Sequence, residues 1–119
     1  MKIRTKSKPW WQGLATHCWR VYFAMTRDGV DDWEHIPHSK QTIYALCNHL
    51  FVKKFVQSDQ DILRMYFTTH WGDDRYAVED YAKRKGIPDS VIWIVVNRAS
   101  RMIVEEIGLL EKKDGDNDE

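Results

Sequence analysis

Six residues in a row, Val91-Ile92-Trp93-Ile94-Val95-Val96, are β-branched or aromatic, and their conformation decides the class of the whole chain. Composition alone would make them a strand. Two features make them helix instead. The apolar pattern continues beyond the run as Ile92, Val95, Val96, Ala99, Met102 and Ile103, one face of a 3.6-residue period. Asp89 follows a proline and suits an N-cap, while Gly108 suits the residue just past a helix end. A lone buried strand would also need a partner strand, and no other segment reads as one. Asp89 to about Ile107 is therefore predicted as a helix.

The rest of the chain follows suit. Leu14, Cys18, Val21, Tyr22 and Met25 predict a first helix from Pro9 to about Met25, broken at Asp28-Gly29 and followed by a polar loop that runs to Pro37. Ser39 as N-cap, then Ile43, Leu46, Cys47, Leu50 and Phe51, predict a second. Ser58 with Asp61 opens a third, whose apolar set is Ile62, Leu63, Tyr66 and Phe67, closed by Trp71-Gly72. A fourth runs from about Arg75 to Lys85 and ends at Gly86 and Pro88. The expectation is all-α, with four to five helices. Residues 1–8 form a basic flexible arm, 9–57 an aromatic-rich helical part, 58–110 a helix-turn-helix part and 111–119 an acidic disordered tail.

Composition narrows the function. A chain of 119 residues suits one domain that needs neither disulfide nor metal to fold. Its longest apolar run is six residues, far short of a bilayer span. The basic N-terminus leads into Pro9-Trp10-Trp11-Gln12 rather than a signal-peptide core, so a cytoplasmic protein is expected. Net charge is zero, with an uneven distribution: residues 111–119 hold five acids and two lysines, leaving 16 basic and 13 acidic groups elsewhere. That balance tolerates nucleic acid as a partner without demanding it.

Residues 75–107 read as two helices joined by a short turn. Ala82 permits a close crossing, Gly86 allows a positive φ, and Ile87, Ile92 and Val95 pin the second helix to its support. Opposite Ile92 the second helix carries Ser90, Ile94, Asn97, Arg101 and Glu105, flanked by Trp93 and Arg98. Asparagine and arginine make bidentate contacts to adenine and guanine edges. Ser90 and the helix N-terminal amides suit phosphate oxygens, and Lys83, Arg84 and Lys85 stand just before the turn. Ile94 fits a thymine methyl or a protein interface, and the same face also fits a solvated helical hairpin.

From Asp59 to Leu110 the chain resembles region 4 of bacterial sigma factors, and more closely the small phage late-gene activators of the RinA and ArpU kind. The residues that carry this are Asp61-Ile62-Leu63 with Tyr66-Phe67, the run Val78 to Ser90, then Ile92 to Arg98 and Glu105-Glu106-Ile107-Gly108-Leu109. The resemblance implies binding to double-stranded DNA at a phage promoter and stimulation of host RNA polymerase. It places Asp89, Ser90, Trp93, Ile94 and Asn97 toward bases, and Arg98 and Arg101 near the backbone. Because one short helix reads few base pairs, a homodimer or higher oligomer is expected. The alternative is a non-enzymatic protein-interaction module, a packaging or host-takeover factor that turns the same hairpin toward a protein.

Other constellations carry less. His35-x-x-His38 and Cys47-x-His49, with His17-Cys18 upstream, supply zinc-type ligands, but Cys47 falls on an apolar face and His49 does not, so no metal is expected. Trp10, Trp11, Trp19, Tyr22, Phe23 and Trp33 could stack on single-stranded bases, though a tryptophan-filled core or dimer surface explains them better. No catalytic motif stands out; no enzyme activity and no cofactor is expected.

Overall fold

A computed structural model describes residues 10–28, 37–69 and 73–109. They form five helices: α1 (Gln12–Asp28), α2 (His38–Lys54), α3 (Gln57–Phe67), α4 (Asp74–Lys85) and α5 (Asp89–Ile107). No strand occurs among the described residues, so the fold is all-α as expected, and the β-branched run lies inside α5. The basic arm, most of the polar loop, Trp71-Gly72 and the acidic tail lie outside the described residues.

One core joins all five helices. Ile92, Val95, Val96, Ala99, Ser100, Ile103 and Val104 form the buried stripe of α5, against which α1, α2, α3 and α4 all pack. Met102, expected on that stripe, is only partly buried because Ser100 and Val104 take the tighter positions. The centre of the core is Trp19, wholly buried, with its ring stacked on Phe23 and Phe67 at 6.1 and 6.0 Å and edge-on to Tyr22 and Phe55. Its Nε1–H donates to the Ala99 carbonyl at 2.9 Å, fastening α1 to α5. Such a ring gains from both area and geometry, and its one polar atom is satisfied.

Burial corrects the predicted face of α1. Ala15, Cys18, Trp19, Tyr22 and Phe23 are buried, while Leu14 is exposed and Val21 and Met25 are half-buried. The stripe is rotated by about one residue because burying Trp19 and Phe23 removes more apolar surface than burying Leu14 and Met25. The helix also begins at Gln12 rather than Pro9, with Trp10 and Trp11 in a preceding turn.

The expected N-caps are also corrected. Pro37, Val56 and Pro88 occupy the cap positions of α2, α3 and α5, and none of the three makes a side-chain cap hydrogen bond. Ser39, Ser58 and Asp89 lie inside their helices. A proline at φ −69° and ψ 149° leads directly into Asp89 of α5, its backbone preset in the extended conformation a cap requires.

Both α4 and α5 end in glycine stops. Gly86 adopts φ 68°, Ile87 N–H donates to the Ala82 carbonyl at 3.0 Å, and Gly86 N–H donates to the Lys83 carbonyl at 3.3 Å. The same paired bonds recur at Gly108 and Leu109. This double closure satisfies carbonyls that a helix end leaves open. A Cβ at Gly86 would meet nothing within 4 Å, so the demand for glycine there is purely one of backbone angle.

Candidate nucleic-acid interface

The turn between α4 and α5 is three residues, Gly86, Ile87 and Pro88. Val78, Tyr81 and Ala82 of α4 are buried, Ile87 packs against the core, and Ile92 and Val95 hold α5 to its neighbours. With α3 packed against both α4 and α5, the result is a three-helix unit that presents the outer face of α5.

The structure divides the predicted site residues into two groups. Asp89, Ser90, Ile94 and Asn97 are exposed on the outer side of α5, Ile94 to 64%. Lys83 and Lys85 are exposed just before the turn, and neither has an ion-pair partner among the described residues. Lys85 reaches over the Tyr81 ring at 5.6 Å. These six can meet an external ligand.

The other four are engaged within the fold. Arg84 Nε lies 3.0 Å from Asp80 Oδ2, with its guanidinium over Tyr81. Arg101 Nε lies 2.7 Å from Glu105 Oε2. Trp93 is half-buried and stands edge-on to Tyr66 of α3. Arg98 is the most committed: it donates to the Lys54 carbonyl at 2.7 Å, lies 3.7 Å from Asp59 Oδ2, and covers the Phe55 ring at 4.6 Å.

Arg98 thereby ties α5 to the corner between α2 and α3. Gln60 Nε2 completes that corner by donating to the Phe51 and Phe55 carbonyls at 2.9 and 3.1 Å. Side chains from α3 and α5 thus satisfy the open carbonyls at the end of α2. Replacing Arg98 by alanine should lower stability by about 1–2 kcal/mol, a charge-assisted hydrogen bond and ring contact discounted for half-exposure. Urea denaturation measures it, with Arg98→Lys recovering only part, because an ammonium cannot both reach the carbonyl and lie flat on the ring. A change below about 0.3 kcal/mol would show the strut to be idle.

That corner brings two further cations beside α5. Lys53 and Lys54, both exposed, end α2. In the sequence they read only as the ordinary basic last turn of a helix; their position next to Arg98 depends on tertiary structure.

The remaining candidates separate. Trp19, Tyr22 and Phe23 belong to the core, Trp10 is 71% exposed, Trp11 is half-buried, and Trp33 lies outside the described residues. Cys47 is buried with its Sγ–H directed at the Cys18 carbonyl, 3.8 Å away, while His17, His38 and His49 are exposed. Among the described residues no three His, Cys, Asp or Glu side chains group as metal ligands, and no helix is long and apolar enough to cross a membrane. His35 lies outside the described residues.

No known family matches the chain, and no curated protein or solved structure is significantly similar to it.

Proposed function

We propose that this chain binds double-stranded DNA through the α4–α5 hairpin and acts, as a homodimer, as a transcriptional activator of phage late genes together with host RNA polymerase. The observation that carries the DNA reading is the outer face of α5. Ser90, Ile94 and Asn97 stand exposed on one side of a helix that a three-residue glycine turn fixes to its support, with Lys83 and Lys85 beside the turn. An asparagine can bridge adenine N6 and N7, an apolar side chain can meet a thymine methyl, and a serine can hold a phosphate oxygen. The phage and polymerase roles rest on the resemblance to late-gene activators.

The test begins with a footprint over the DNA flanking the gene, with and without host polymerase. At the protected site, Asn97→Ala should cost about 1–3 kcal/mol, roughly 5- to 150-fold in affinity, and relax selectivity at one base position. Binding to unrelated duplex should stay the same, because phosphates supply it. Unchanged affinity and selectivity at the site would remove α5 as the reader.

A second reading is favoured by the apolar part of the same face. Ile94 and Val91 are 64% and 37% exposed, which suits a protein surface. On that reading Ile94→Lys abolishes capture of a partner, and binding shows little dependence on salt.

A further inference from the structure

Lys53 and Lys54 have no part in the function proposed above, yet the fold carries them to the surface that function uses. Arg98 takes the Lys54 carbonyl at 2.7 Å, so the last turn of α2 is fastened to the outer side of α5 one residue beyond Asn97. Gln60 holds the neighbouring Phe51 and Phe55 carbonyls, which leaves little freedom at this corner. Arg98 itself spends its charge on Asp59 and its plane on Phe55. The lysines are the cations left facing solvent there.

Their spacing from the other basic group is informative. Asp89 to Arg98 is nine residues, or about 14 Å along the helix axis at 1.5 Å each. Lys83 and Lys85 lie across the turn at one end of that length, and Lys53 and Lys54 lie at the other. The exposed reading residues Ser90, Ile94 and Asn97 fall between them.

We propose that the end of α2 is a second phosphate-contacting element: Lys53 and Lys54 meet backbone phosphates beyond Asn97, while Lys83 and Lys85 meet others beside the turn. The inference rests on the DNA reading and extends it by assigning a backbone role to a helix outside the hairpin. It makes α2 part of the DNA-binding unit and Arg98 its positioning residue.

The experiment is fluorescence anisotropy of the full chain with a labelled 24-base-pair duplex of mixed sequence, between 50 and 200 mM salt. Each neutralised phosphate contributes about −0.9 to the slope of log K against log salt. The double variants K53A/K54A and K83A/K85A should each flatten that slope by about 1.8, so the unaltered chain loses about twelvefold more affinity than either variant over this fourfold range. Lys53→Arg with Lys54→Arg should restore the slope, because charge rather than a particular side chain is required. All four lysines are exposed, so the variants should fold, and circular dichroism is the check on this. If K53A/K54A keeps the full slope while K83A/K85A loses its share, the α2 element is refuted and the hairpin reading survives. If the unaltered chain shows no salt-dependent binding to the duplex, both fall together.

Discussion

Trp19→Ala should remove a large share of the stability of the fold. The ring is wholly buried among Tyr22, Phe23, Phe55 and Phe67, drawn from α1, α3 and the α2–α3 corner. Truncating a buried aromatic to alanine costs about 3–5 kcal/mol in lost burial and cavity. The Ala99 carbonyl also loses its 2.9 Å partner in the interior, an addition of about 1–3 kcal/mol. A domain of this size holds only about 5–15 kcal/mol in total. Thermal unfolding followed by circular dichroism should shift down by about 15 °C or more, if a folded baseline is seen at all. Trp19→Phe keeps most of the apolar area but not the hydrogen bond and should fall between the two. A melting point for the alanine variant within a few degrees of the unaltered chain would contradict the placement of this ring at the centre of the core.

Alkaline conditions provide the second large effect. Burial pushes the Cys18 thiol up, and burial together with the neighbouring Cys18 pushes the Cys47 thiol up further. Burial, then the proximity of Tyr44 and Cys47, raises the Tyr22 phenol to about 12. All three groups keep their protons in the folded chain at a pH where the unfolded chain has released them. The unfolded state then binds fewer protons, so stability is intact below about pH 9 and falls as pH rises above it. The thiols act first and the phenol joins above about pH 10. Each group contributes up to about 1.4 kcal/mol per pH unit where the folded chain keeps a proton that the unfolded chain has lost, so the fall steepens above about pH 10, where the Tyr22 phenol adds to the thiols. Urea midpoints measured at pH 7, 9, 10 and 11 with a reductant present will report it. In a Cys18→Ala, Cys47→Ala chain the fall between pH 9 and 10 should flatten; an unaltered profile would rule the thiols out as its source.

Much of this architecture is legible before any coordinates. The bounds of α5 can be read from Asp89 and Gly108, and its face from the spacing of Ala99, Met102 and Ile103 beyond the apolar run, while Cys47, Leu50 and Phe51 mark the face of α2 at i, i+3 and i+4. In α1 the pattern is ambiguous: Leu14, Ala15, Cys18, Trp19, Val21, Tyr22, Phe23 and Met25 surround most of the helix, so periodicity does not single out one stripe. Helix starts are harder still, since a serine or aspartate near the boundary fits several registers within a residue or two. In the candidate interface, the exposure of Ser90, Ile94 and Asn97 follows from helical phase alone. The engagement of Arg98 with Lys54 and of Trp93 with Tyr66 does not, because each joins segments that only the tertiary fold brings together.

The bond from Trp19 to Ala99 spans 80 positions of chain. During synthesis α1 leaves the ribosome well before its α5 partner, and at about 5–20 residues per second that interval lasts roughly 4–16 seconds. Throughout it, Trp19 and the aromatic rings around it have no α5 to cover them, so the nascent chain carries an uncovered, strongly apolar surface until α5 emerges. Contacts of such long sequence separation also slow folding beyond what an all-helical content would suggest. A ribosome stalled before residue 99 should therefore hold a chain with helical segments but no closed core, the form most exposed to proteases and to self-association.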